Sequence, residues 1–172
     1  MESNRLKLVL CTKEIIENIL ESDDKIANHL NINVSKNWSE FGSAIFQFVY
    51  SKVLVEPESV KWWTYLPIHI DSKTLIGSCG YKGPPNDKGE VEIGYEVTKS
   101  HRNKGYATEI AQHLIDIAFN EQQVKSILAH TLPKENASTK VLLKCKFKFV
   151  EEVNDPDDGL IWKWKLKREL NL

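Results

Sequence analysis

The stretch from Glu90 to His130 constrains the fold more than any other part of the chain. Glu90 to Val97 reads as a strand, and a basic, glycine-containing turn follows it. From about Lys104 to Asn120 the pattern becomes helical, with Ala107, Ile110, Ala111, Leu114 and Ala118 on one face. Val124 to His130 then reads as another strand. A helix joining two strands of one sheet is a crossover unit, so at least part of the sheet is not a simple meander.

The turn inside that unit, Arg102-Asn103-Lys104-Gly105-Tyr106-Ala107-Thr108-Glu109, opens the helix. The first N–H groups of a helix have no intrahelical acceptor, and the helix dipole favours negative charge beside them. Gly105 leaves room where a phosphate would meet the backbone, and Arg102 and Lys104 offer charge-assisted bonds. The chain therefore calls for a phosphate-bearing ligand. There is no GxxxxGK[ST], no GxGxxG after the first strand, and no HExxH or GxSxG, so nucleotide hydrolysis and dinucleotide binding lack support.

The remaining elements complete an α+β pattern. Leu6 to Leu10 reads as a strand, and Thr12 stands as an N-cap before Ile15, Ile16, Ile19 and Leu20 at helical spacing. A short helix and a loop are expected within Asp23 to Asn37. Another helix starts near Ser39 and Gly42, with Phe41, Ile45, Phe48 and Val49 on its apolar face. Val60 to Ile70 and Lys73 to Lys82 read as strands that form an antiparallel meander with Glu90 to Val97. A helix from Asn136 to Lys144 precedes strands at Phe147 to Val153 and Gly159 to Leu166. Trp62, Trp63, Trp162 and Trp164 read as core residues.

With 172 residues, no repeat and no dividing linker, residues 1–172 read as a single domain. A net charge of -1 gives no field for nucleic acid or an anionic membrane, and no apolar run approaches the roughly 20 residues that span a bilayer. The N-terminus lacks a signal-peptide pattern. Cys11, Cys79 and Cys145 form neither a disulfide framework nor a metal motif, so a cytoplasmic location is expected. His29, His69, His101, His113 and His130 show no paired ligand spacing and read as surface or partly buried side chains; no metal is expected.

The run Glu92-Ile93-Gly94-Tyr95, followed by Arg102-x-x-Gly105-x-Ala107, resembles the GNAT superfamily of acetyl-CoA-dependent N-acetyltransferases. Pro133 to Lys144 resembles the second motif of one branch, the ribosomal-protein N-terminal acetyltransferase-like group. The resemblance covers roughly residues 6 to 166 and implies a three-layer fold, a mixed and mostly antiparallel central sheet flanked by helices. That branch usually reads Lys-x-Gly-Phe after the second motif, where this chain has Lys144-Cys145-Lys146-Phe147. A residue that prefers negative φ thus replaces a permissive one. Asn136 also stands two residues before Ser138, where a gap of three is commoner.

The resemblance implies that backbone N–H groups from Asn103 to Ala107 cradle the acetyl-CoA pyrophosphate, with Arg102 and Thr108 alongside. Val97 would bond the pantetheine arm through its main chain, Tyr106 would pack under the cosubstrate, and Asn136 would orient a water or a cosubstrate amide. Asn136 reads equally well as a helix N-cap.

Acetyl transfer needs a neutral amine, a polarised thioester and a leaving thiolate. Glu92 is the candidate base, directly or through water, although Glu90 and Glu96 share its face by the period of two. The Tyr that often protonates the thiolate in this superfamily is replaced by Phe147 and Phe149, and Ser138 matches the branch's substitute. A hydroxyl in the first turn of a helix also reads as a backbone cap.

The expected function is acetyl transfer from acetyl-CoA to a primary amine. An α-amine with a pKa of about 7.8 is neutral in roughly one molecule in seven at pH 7, whereas a lysine amine is neutral in only about one in 2,500. A modest base therefore favours a protein or peptide N-terminus. The alternatives are a small-molecule amine (aminoglycoside or polyamine) and a module that binds acetyl-CoA without turnover. A homodimer stays open, and no nucleic-acid or membrane partner is expected.

Overall fold

The structure is a computed structural model that describes residues 5–169. Its elements run β1 (Leu6–Leu10), α1 (Lys13–Glu21), α2 (Asp23–Leu30), α3 (Gly42–Val55), β2 (Thr64–His69), β3 (Thr74–Leu75), β4 (Gly77–Tyr81) and β5 (Glu90–Val97). There follow α4 (Tyr106–Asn120), β6 (Ser126–Thr131), α5 (Ala137–Lys144), β7 (Lys148–Asp155) and β8 (Gly159–Lys167). The strands form an 8-stranded mixed sheet in the order β1-β2-β4-β5-β6-β8-β7, with β3 paired to β2. β5 and β6 are parallel, joined by the α4 crossover, while β1·β2, β2·β3, β2·β4, β6·β8 and β7·β8 are antiparallel. This is the expected α+β class, a mixed sheet flanked by helices.

The chain divides into two compact units: one runs to Gly80 and takes in Tyr95–Tyr106, and the other holds Tyr81–Gly94 and the chain from Ala107 on. In the first, Thr12 caps α1, its hydroxyl accepting from the Ile15 N–H. Ser22 accepts from the Lys25 N–H and starts α2 in the same way. Ile15, Ile16, Ile26, Trp38, Phe46, Val49, Val53, Trp63, Leu66 and Leu75 share one core cluster. Trp38 and Trp63 settle their indole N–H groups on Asp23 Oδ1 and Ser59 Oγ, both at 3.0 Å.

Three expectations change here, and the first is that Lys73 to Lys82 is not one strand but two, β3 at Thr74–Leu75 and β4 at Gly77–Tyr81. α3 begins at Gly42 and buries Phe46, Val49 and Val53, while Phe41 is 62% and Phe48 is 49% exposed, so of the expected face Phe41-Ile45-Phe48-Val49 only Val49 points inward. The helix is apolar nearly all round, and spacing alone could not choose its inner side. The expected strand from Val60 to Ile70 also splits. Pro57–Trp62 is a 3₁₀ turn that ends at Trp63, and only Thr64–His69 is strand. Pro57 fixes φ and withholds an N–H at the first turn, where no acceptor is needed.

In the second unit Val91, Ile93, Ile127, Ala129 and Trp164 are buried on the strands. Ile110, Ala111, Leu114 and Ala118 are buried along α4, which is the face read from the sequence. Tyr81 donates its hydroxyl to the Leu114 carbonyl at 2.6 Å, tying the end of β4 to that helix. Trp164 Nε1 donates to Thr131 Oγ1 at 3.0 Å. Among the described residues no helix is long and apolar enough to cross a membrane.

Candidate functional site

The expected residues fall in two groups. The first lies at the end of β5 and in the turn that leads to α4. Arg102 donates Nε to the Val97 carbonyl at 2.9 Å, and its Nη2 pairs with Glu40 Oε1 at 2.7 Å. Lys104 Nζ donates to the Ser100 carbonyl at 3.0 Å. Both cations thus brace the turn's own backbone.

Arg5 braces the same turn. It donates Nη1 to the Lys104 carbonyl at 3.0 Å and stacks its guanidinium 4.4 Å from the centre of the Tyr106 ring. Tyr106 is buried, with the His69 and His101 rings 5.5 and 6.1 Å from its own.

Asn103 has φ 61° and Gly105 has φ 84°, so left-handed residues alternate along the turn. That alternation turns successive N–H groups toward one side, the backbone nest that binds anions. It also delays the helix. α4 starts at Tyr106, not at Lys104, because a left-handed residue cannot continue a right-handed turn. Ala107 and Thr108 lie in the first turn of α4, half-buried.

The glutamates of β5 have separate fates. In the first unit Glu96 is buried and accepts from Ser78 Oγ at 2.6 Å and from the Glu40 N–H at 2.7 Å. In the second unit Glu90 pairs with Lys165, which holds its carboxyl below the usual range. Glu92 differs from both. Its Oε1 pairs with Lys82 Nζ and lies 2.9 Å from His130 Nδ1, with both the Glu92 and His130 side chains 20% exposed. Burial pushes the Glu92 carboxyl up, but His130 and Lys82 outweigh it and hold it below the ordinary Glu value. Oε1 and Nδ1 are themselves shut off from solvent and have no aligned hydrogen-bond partner among the described residues, so the contact is a close approach of carboxylate and ring rather than an aligned hydrogen bond.

On α5, Asn136 is the N-cap: its Oδ1 accepts from the Thr139 N–H at 3.0 Å, and Thr139 Oγ1 accepts from the Asn136 N–H at 2.9 Å. Asn136 therefore stands one residue before the helix in which it was expected, with its side-chain oxygen engaged in the cap. Ser138 is exposed in the first turn and makes no cap bond among the described residues. No bond among the described residues joins Ser138 or Asn136 to Glu92.

Sequence reasoning missed His130 and Lys82. The available signal was parity. Glu92 is opposite Leu128 in the parallel β5·β6 pairing, and His130 stands two residues farther on the same face.

Known proteins resemble this chain along most of its length. Residues 5–148 match the model of the acetyltransferase (GNAT) domain. The chain is 31% identical to an uncharacterized N-acetyltransferase of Bacillus subtilis, YjdG, over 86% of this chain and 88% of that one. Among solved structures it resembles the ribosomal-protein-S5-alanine acetyltransferase from Vibrio fischeri, with a TM-score of 0.70, 15% identity and coverage of 97% and 95%. It also resembles a spermidine N-acetyltransferase from Vibrio cholerae, solved as a dodecamer, with a TM-score of 0.68, 14% identity and coverage of 96% and 95%. At such low identity these two structures establish the fold alone. The family match runs through both compact units, and the chain belongs to the GNAT family of acetyltransferases, which makes it an acyltransferase.

Proposed function

We propose that the chain moves an acetyl group from acetyl-CoA to the N-terminal α-amine of a protein or peptide, in the manner of the ribosomal-protein N-terminal acetyltransferase-like branch. The donor reading rests on the turn at Asn103 and Gly105, whose alternating left-handed residues and helix start suit a pyrophosphate. Arg102, Lys104, Tyr106, Ala107 and Thr108 complete that cradle, Val97 offers its main chain to the pantetheine arm, and Asn136 keeps its amide NH₂ for a water or the cosubstrate.

The acceptor reading rests on one observation: Glu92 is held below the ordinary Glu value, which makes it a weak base. A weak base serves an amine that is already partly neutral, and an α-amine meets that condition far better than a lysine. Glu92 stabilises the positive charge that leaves the amine with its proton. Ser138 gives a proton to the departing thiolate. A polyamine would call for unmatched carboxylates, whereas Glu90, Glu92 and Glu151 each carry a lysine partner.

The test is thiol release from acetyl-CoA with peptides bearing free N-termini, N-blocked lysine peptides, spermidine and aminoglycosides. Turnover confined to free N-termini is expected. Preferred turnover of spermidine or an aminoglycoside would replace the acceptor, and tight acetyl-CoA binding with no thiol release from any amine would leave only a binding module.

A further inference from the structure

We propose that His130 is the immediate proton acceptor and that Glu92 acts through it, the two forming a carboxylate–imidazole pair on adjacent parallel strands. The inference deepens the acetyl-transfer reading and rests on it. Its ground is the contact between Glu92 Oε1 and His130 Nδ1 at 2.9 Å, both atoms shut off from solvent while each side chain keeps 20% of its surface exposed. A carboxylate oxygen 2.9 Å from Nδ1 favours the ring form with its proton on Nδ1, through charge rather than an aligned hydrogen bond, and leaves the lone pair of Nε2 for the acceptor amine. Of the side chains, imidazole is the one suited to take and release a proton near neutrality. A carboxylate shared with an ammonium is not.

The charges around the pair come from every neighbouring strand. Lys82, just past β4, shares Glu92 Oε1. Lys163 on β8 stands directly opposite His130 and is matched by Glu151 of β7 at 3.2 Å. The Asp155 carboxyl, which its own turn N–H groups hold below the usual range, also feels Lys82 and His130. When His130 gains its proton, Glu92 stands between two cations, and Lys82 keeps that carboxylate ionised throughout.

The step balances. The acceptor ammonium gives a proton to Nε2, and the freed nitrogen lone pair forms a C–N bond to the thioester carbonyl. The C–S bond then breaks with its electron pair going to sulfur; the Ser138 hydroxyl gives its proton to the thiolate and takes the second proton from nitrogen. His130 returns its proton to water.

The experiment compares the purified wild type with His130→Gln, His130→Ala, Glu92→Gln and the Glu92→Gln/His130→Gln double variant, each first checked for acetyl-CoA binding. His130→Gln should lower kcat/KM by about a hundred- to ten-thousand-fold and abolish the acid limb of its pH profile, with acetyl-CoA affinity kept within about twofold. Added imidazole should restore part of the activity of His130→Ala. Glu92→Gln should cost less, and the double variant should be no slower than His130→Gln, since Glu92 acts only through the ring. An active wild type with His130→Gln within about threefold of it and an unchanged pH profile overturns the pair but leaves the acetyl-transfer reading standing. A wild type that binds acetyl-CoA and acetylates no amine overturns both.

Discussion

Replacing Lys146 with glycine should stabilise the protein, and the size of the gain follows from the C-terminus of α5. Cys145 is the C-cap, and beyond it the Lys146 N–H donates to the Leu143 carbonyl and the Phe147 N–H to the Leu142 carbonyl, each at 3.0 Å. These are the paired bonds of a Schellman motif, accompanied by its hydrophobic contact, since Leu142 and Phe147 are both buried. The motif demands a left-handed residue just past the cap, and Lys146 supplies it with φ 64°. An L-residue in that conformation costs roughly 1–2 kcal/mol, which glycine would relieve. Glycine also gives the unfolded chain more freedom, a cost of about 0.4–1 kcal/mol. The Lys146 side chain is exposed, so its removal empties no cavity. Lys146→Gly should therefore gain about 0.5–1 kcal/mol and raise Tm by about 1–4 °C for a chain of this length. Urea unfolding followed by far-UV circular dichroism should show a higher midpoint at an unchanged slope. Lys146→Ala separates the causes, because it keeps the strain and should show no gain. A Lys146→Gly midpoint at or below wild type, or an equal gain for Lys146→Ala, refutes the reasoning.

Gly80→Ala should cost more than about 4 kcal/mol, seen as lost soluble yield or a Tm drop above about 8 °C, because its Cβ would run into the Trp63 carbonyl. A variant that melts within a few degrees of wild type would mean that β2 and β4 can separate at little cost. Ser138→Ala should lower kcat at least about tenfold with acetyl-CoA affinity unchanged, measured by thiol release and by calorimetry. Unchanged kcat assigns the hydroxyl no role in protonating the thiolate. The folded-state pKa of Glu92 lies below the ordinary value, so its contribution to stability is fully present above about pH 4.3 and disappears as pH falls through the folded value. The difference in urea midpoint between wild type and Glu92→Gln should accordingly be constant near neutrality and shrink toward pH 3; a difference that grows on acidification contradicts the sign.

The fold was legible where the hydrophobic period was unambiguous. α4 alternates buried Ile110, Ala111, Leu114 and Ala118 with exposed Gln112 and Asp116, and a helical period has one solution there. α3 offers apolar residues on every side, so the choice of Phe46, Val49 and Val53 over Phe41, Ile45 and Phe48 belongs to the core that receives it. Lys146 is a middle case. The missing glycine was visible in the sequence, but the motif's bonds hold the left-handed turn without it.

The candidate site divides along the same physical line. The turn from Arg102 to Tyr106 is contiguous, so the residues that would hold a phosphate could be read in order, and the structure adds only the bracing by Arg5 and Glu40. The Glu92–His130 contact depends instead on a register. A shift of β6 by one residue would turn His130 to the other face of the sheet and leave the carboxylate with Lys82 alone. That register is set by the pairing of Glu90 with Ser126 and Val91 with Ile127, while Trp164 of β8 holds the end of β6 by donating to Thr131, the residue after His130. The alignment of the pair therefore depends on a strand pairing that no local pattern around Glu92 reveals. Thr131→Val would leave the buried Trp164 N–H without its acceptor, a cost of about 1–3 kcal/mol that urea unfolding should show as a lower midpoint, and an unchanged midpoint refutes that role for the hydroxyl.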